Sequence, residues 1–168
     1  MEEAIMLSVR GQWIAKMAEG IKLEEVRKSK PRIPTPFKCY LYCSLFGDVL
    51  LLDGRPANGF VVGEFICDAV NEYSRTSKDV ARLSGMSCVP ATELHHYFGR
   101  RATVDGWHIS ELQFYDKFLP ITAFKKLCPD WLYCESCAMF DAHKGICGNA
   151  ARVLQKPPQS WCYVEALV

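Results

Sequence analysis

Apolar residues recur along this chain at two periods, and the alternation between them predicts its elements. Residues 6–9 form a short apolar run that reads as a strand. Trp13, Ile14, Met17 and Ala18 then fall at helical spacing within residues 12–19, and Gly20 stops that helix as a C-cap. Residues 37–44 alternate, with Tyr40 and Tyr42 on one face and Leu41 and Cys43 on the other. Residues 60–68 make the strongest strand pattern in the chain. The period shifts toward helical over residues 78–83 and again over residues 90–99, where Gly99 closes a short helix. It returns to two over residues 106–114, and a last strand over residues 160–165 follows Pro157-Pro158. Five or six strands, one early helix and helices between later strands predict an α+β fold, a small mixed sheet curled into a barrel.

Two segments interrupt this pattern. Residues 28–36 are basic and carry Pro31, Pro34 and Pro36, which resist both helix and central strand and place the segment at the surface. Asp53-Gly54-Arg55-Pro56 and Asn58-Gly59 mark turns. One apolar run holds an outlier, because Glu64 interrupts the strand of residues 60–68. Its carboxylate is therefore either solvated or held by a cation.

The charged stretch after Gly20 is the most informative. If residues 24–27 are a strand, a period of two puts Glu25 and Arg27 on one face and Val26 on the other, with Lys22 close enough to reach the same spot. A guanidinium fixed beside a carboxylate offers a rigid fork of donors suited to a base edge or a phosphate. The plainer alternative is a surface ion pair worth about 0–1 kcal/mol.

Composition narrows the function. The 168 residues suffice for one domain, 1–168, with a helical insert at about 74–99 and a cysteine-rich insert at about 125–155. Hydrophobic residues make up 49% and the net charge is +1, which argues against both a disordered chain and a broad, non-specific nucleic-acid surface. Any nucleic-acid contact is expected to be local. No run reaches the ~20 apolar residues that span a bilayer, and Met1-Glu2-Glu3 lacks the basic start of a secretory signal, so the expectation is a cytoplasmic protein without membrane contact.

Nine cysteines, an odd number, fit a disulfide framework poorly. Cys134-x-x-Cys137 has the bite of a zinc knuckle, and Cys128 and Cys147, with His143 as an alternative fourth ligand, complete a candidate structural zinc site. The competing reading is a set of reduced, unligated thiols. Cys39, Cys43, Cys67, Cys88 and Cys162 stand singly in apolar runs, where cysteine acts as a small hydrophobe.

Gly20-x-Lys22-x-x-Glu25-x-Arg27 resembles, at all four positions, the signature of the ASCH domain, a member of the PUA-like superfamily of small β-barrels. A strand and a helix before the motif fit that resemblance. Val61-Val62-Gly63-Glu64-Phe65, Gly106-Trp107-His108-Ile109-Ser110 and Pro157-Pro158-Gln159-Ser160-Trp161-Cys162 resemble segments of a phage- and prophage-associated branch. The resemblance implies recognition of RNA, or of a modified nucleotide or nucleoside, in a cleft beside the motif. Arg27 would then grip a phosphate or base edge, Glu25 would orient Arg27, and an aromatic would stack the base.

Trp13, Tyr40, Tyr42 and Trp107 are the candidates for that aromatic, Trp107 being equally suited to the core. His108 and Ser110 share a face of the same strand. Relatives that act as amidohydrolases or ribonucleases imply an enzymatic alternative through Lys22 and Glu64. The threonine nucleophile that a deamidating relative carries near the glutamate has no counterpart beside Glu25. A third alternative is a phage-encoded adaptor or inhibitor that docks on a host protein through the cysteine-rich insert.

Overall fold

A strand whose two faces both meet apolar neighbours can be hydrophobic throughout, and β1 (Glu3–Val9) has that character. The computed structural model describes residues 2–128, 136–144 and 146–167. After β1 come α1 (Gly11–Ala18), β2 (Glu24–Arg27), β3 (Phe37–Cys43), the short pair β4 (Leu51–Leu52) and β5 (Arg55–Pro56), and β6 (Phe60–Cys67). Next are β7 (Val70–Ser74), α2 (Ser77–Ser87), α3 (Ala91–Phe98), β8 (Thr103–His108) and β9 (Ser110–Pro120). The short hairpin of β10 (Phe140–Asp141) and β11 (Ile146–Cys147) precedes β12 (Trp161–Glu165).

The main sheet has the order β12-β1-β3-β6-β9, and only the β1–β3 pairing is parallel. A second, antiparallel sheet has the order β2-β8-β7. The α+β class agrees with the sequence pattern, and closure does not. Among the described residues the two sheets stay separate instead of curling into one closed barrel. The break comes where residues 106–114, expected as one strand, divide at Ile109 between β8 and β9. The main chain there changes sheets, and Glu111 takes a left-handed conformation with φ 49°.

Three apolar clusters hold these layers. Between the sheets, Ile5, Leu7, Val9, Cys39, Leu41, Cys43, Phe65 and Cys67 meet Ile14 and Met17 of α1 and Trp107 of β8. On the outer face of the main sheet, Ala4, Met6, Tyr40, Tyr42 and Val61 pack under Phe124, Leu154 and Val164. Val26, Tyr73 and Val104 of the small sheet carry Val80 and Leu83 of α2 and Leu94 and Phe98 of α3. Residues 74–99 thus hold α2 and α3, which pack against the small sheet. Thr76 begins α2 as an N-cap, accepting from the Asp79 N–H at 3.2 Å, while Asp79 accepts from the Ser74 N–H at 2.9 Å.

In the cysteine-rich stretch, β10 and β11 form a hairpin, and Lys125 and Val153 bridge its base. Residues 129–135 lie outside the described residues, Cys134 among them. Among the described residues no helix is long and apolar enough to cross a membrane.

Candidate functional site

Gly20 sets the site's geometry. Its φ of 72° is a conformation that glycine adopts without strain, and it turns the chain from α1 so that the Ile21 and Lys22 N–H groups both close onto the Lys16 carbonyl at 3.1 Å. The next residues then cap another helix. At the C-terminus of α2 the Met86 carbonyl accepts from the Leu23 N–H at 2.8 Å, and the Ser87 carbonyl accepts from Lys22 Nζ at 2.7 Å. These carbonyls have no partner within their own helix, and the negative end of the helix dipole favours a cation there.

Lys22, Glu25 and Arg27 form one buried ionic unit, with 3%, 4% and 7% of their surfaces exposed. Lys22 Nζ lies 3.2 Å from Glu25 Oε2, and Arg27 Nη1 donates to Glu25 Oε1. Arg27 also donates to the Val26 carbonyl at 2.8 Å and, through Nη2, to the Ser8 carbonyl at 2.9 Å. Burial pushes the Glu25 carboxyl upward, but the Lys22 and Arg27 charges outweigh it and hold the group below the ordinary carboxyl value. The pairing expected from the period-two pattern is therefore present, and it is buried instead of lying on the surface. The guanidinium fork is committed to the protein, and Arg27 Nε is a buried donor without a hydrogen-bond partner.

This unit forms the wall of a cleft of about 870 Å³. Trp13 of α1 lines it, with Lys22 Nζ 5.3 Å from the centre of its ring. Residues that sequence reasoning missed complete it: exposed Arg10 and Lys28, Gln159 and Ser160 before β12, and Glu93, His96 and Tyr97 from α3. Lys28 Nζ lies 4.9 Å from the centre of the Tyr97 ring, and the Tyr97 hydroxyl donates to the Val26 carbonyl at 3.3 Å. Burial raises the Tyr97 phenol above its ordinary value. Tyr97 and His96 carry no motif signal. They reach the cleft only because the α2–α3 hairpin folds back on β2 some 70 residues earlier in sequence.

The remaining candidates lie elsewhere. Glu64 points to the outer face of the main sheet, 3.0 Å from Lys38 Nζ, and accepts from the Tyr115 hydroxyl at 2.5 Å. Of the two readings of Glu64, the cationic partner is the one observed. The partner is Lys38 and not Lys22, so the expected Lys22–Glu64 convergence does not occur. Tyr40 is wholly buried on that outer face, where its hydroxyl accepts from the Leu167 N–H at 2.8 Å.

Trp107 is wholly buried between the sheets, edge-on to Phe37 at 5.5 Å and tilted against Trp161 at 5.8 Å. It is a core residue. His108 pairs with Asp68 at 2.6 Å and Ser110 donates to the Ile66 carbonyl at 2.8 Å. Although the chain divides between them, both side chains reach the Asp68 carboxylate, and neither lines the cleft.

Sequence reasoning also missed Glu24, which is wholly buried on the opposite side of β2 from Glu25 and accepts from Asn71 Nδ2 at 2.7 Å. Its second oxygen crowds Gly106, where a Cβ atom would sit 2.2 Å from Oε2. Burial and the neighbouring Glu24 push the Tyr73 phenol up to about 12. Among the described residues, no three His, Cys, Asp or Glu side chains gather as a metal-binding group. The set Cys128, Cys134, Cys137 and Cys147 turns on Cys134, which is outside those residues.

The α+β fold of this chain is similar to that of solved ASCH proteins. The crystal structure of ASCH from Zymomonas mobilis superimposes with a TM-score of 0.59 at 15% identity, covering 96% of this chain and 87% of that one. A Tyr→Phe and a Ser→Ala mutant of the same Zymomonas mobilis protein superimpose equally well, each at 14% identity over 96% of this chain and 90% and 88% of theirs. At such identity the likeness is one of fold, and it extends to no particular branch of those proteins. No protein-family model and no curated protein matches the chain.

Proposed function

We propose that the cleft recognises a nucleotide unit, carried by RNA or presented as a free or modified nucleoside. One observation carries this reading. A chain with a net charge of only +1 concentrates Lys22, Arg27, Arg10 and Lys28 around one cleft and lines the same cleft with Trp13 and Tyr97. Its volume falls in the range of about 300–1,000 Å³ that small-molecule sites occupy. The aromatic rings suit stacking on a base, worth about 1–3 kcal/mol, and exposed Lys28 and Arg10 suit a phosphate.

Roles divide differently from the sequence expectation. Arg27 is bonded to Glu25, Ser8 and Val26, so it acts as a rigid wall of the cleft. Lys28 and Arg10 hold the ligand's charge. Hydrolysis through Lys22 and Glu64 lacks support, because the two residues have different partners on different sides of the main sheet.

The experiment is titration of the protein with the four nucleoside monophosphates and a short single-stranded RNA. Tyr97→Ala and Lys28→Ala are compared with wild type, since both residues lie at the cleft's edge and their loss leaves the buried ionic unit intact. Tyr97→Ala is expected to weaken binding about tenfold, the equivalent of 1.4 kcal/mol. Absence of binding to every probe, or affinities unchanged in both variants, refutes the reading.

A further inference from the structure

The cleft shares one lining residue, Arg10, with a second concavity. Arg10 lines the large cleft on one side. On the other it lines a depression of about 210 Å³ formed by the start of α1 and the segment that follows β3. That segment exposes Leu45, Phe46 and Val49, and Phe46 is 67% exposed. An aromatic ring so open to water has little packing reason to be there. The Arg10 guanidinium nevertheless sits over it, 4.5 Å from the ring centre, so a hydrophobic ring and a positive charge are presented together at the second concavity, on the far side of Arg10 from the cleft.

A planar ring beside an exposed guanidinium is the arrangement that binds successive units of a single strand: the ring stacks on a base and the cation neutralises the phosphate linking it to the next. Asn58 supports the segment, since its side chain donates to the Ser44 carbonyl at 2.8 Å and accepts from the Leu50 N–H at 2.7 Å. The exposed residues therefore project from a braced turn.

We propose that the site takes a single-stranded oligonucleotide and not only one nucleotide. One unit occupies the cleft, the linking phosphate passes Arg10, and the adjacent base stacks on Phe46. This rests on the nucleotide reading of the cleft. Other occupants of the apolar segment, a protein partner included, predict no dependence of oligonucleotide binding on Phe46.

The test measures a labelled six-nucleotide single-stranded RNA and, separately, the four nucleoside monophosphates. Both are titrated against wild type, Phe46→Ala, Arg10→Gln and Tyr97→Ala. Phe46→Ala is expected to weaken the hexamer about tenfold while leaving monophosphate binding unchanged, and Tyr97→Ala is expected to weaken both. Arg10→Gln should weaken the hexamer and flatten the salt dependence of its binding. Hexamer affinity that is lost in Tyr97→Ala but retained in Phe46→Ala overturns the second subsite and leaves the cleft reading standing. Failure of wild type to bind either probe overturns both. Phe46 is exposed, so its replacement does not threaten folding, and unchanged circular dichroism verifies that.

Discussion

Replacing Glu25 by glutamine removes the carboxylate that lies between two buried cations while preserving its shape. Lys22 keeps its hydrogen bond to the Ser87 carbonyl, and Arg27 keeps those to Val26 and Ser8, so the change isolates charge from packing. Removing one member of a buried ion pair costs about 3–5 kcal/mol, because the remaining charge has no counterion and no water. Here two cations share one carboxylate, with 3% and 7% of their surfaces exposed, and the upper half of that range applies. With a urea slope of about 2 kcal/mol per molar, the unfolding midpoint of Glu25→Gln falls by about 2 M.

The pH dependence gives an independent check. The folded Glu25 carboxyl lies below its unfolded value, so its contribution is fully present above the ordinary carboxyl range of about 4.3 and fades as pH falls through the folded value. Wild type and variant should differ by a constant amount from pH 5 to 8 and converge below about pH 4. A loss under about 1 kcal/mol at neutral pH, the scale of an exposed pair, refutes the buried-unit argument. So does a difference that grows on acidification.

Two further substitutions probe the surroundings. Gly106→Ala places a Cβ 2.2 Å from Glu24 Oε2 and 2.9 Å from Tyr73 Cε2. Overpacking of that kind costs about 1–3 kcal/mol, and a thermal melt should show the midpoint fall by about 2–4 °C for each kcal/mol. An unchanged midpoint would mean that Glu24 is free to move away. Glu64→Gln should leave nucleotide and oligonucleotide affinity at the wild-type level and reduce stability by less than about 1 kcal/mol, since its pair with Lys38 is partly exposed. A tenfold loss of affinity would return Glu64 to the site.

The grip of this site was legible in the sequence and its enclosure was not. Lys22, Glu25 and Arg27 lie within six positions, so local backbone geometry alone brings them together. The left-handed turn at Gly20 and the two-residue period of β2 suffice. Glu64, Tyr40 and Trp107 each required knowing which side of a sheet faces the cleft. Period two says only that neighbours point oppositely. The main sheet is covered on both faces, so burial preference could not choose between them. The side is decided by register: Tyr40 pairs with Glu64 across β3 and β6, and both therefore point outward with Lys38.

Tyr97, His96 and Arg10 were hidden for another reason. Their positions follow from where the α2–α3 hairpin docks and from the turn into α1, and neither leaves a local pattern. The capping of α2 by residues 22 and 23 was equally unreadable, because the helix and its cap are more than 60 residues apart.

The cleft's two walls have separate origins. One is the ionic unit, held by backbone carbonyls of β1 and β2 and by the end of α2; the other is the inner face of α3, a segment that packs on the small sheet through its own apolar cluster. Tyr97 shares the Val26 carbonyl with Arg27 and so touches the charged unit, whereas Glu93 and His96 line the cleft with no hydrogen bond to that unit among the described residues. Exchange of the Glu93 and His96 side chains is therefore expected to alter the shape and charge of the cleft while leaving the ionic unit beneath it in place.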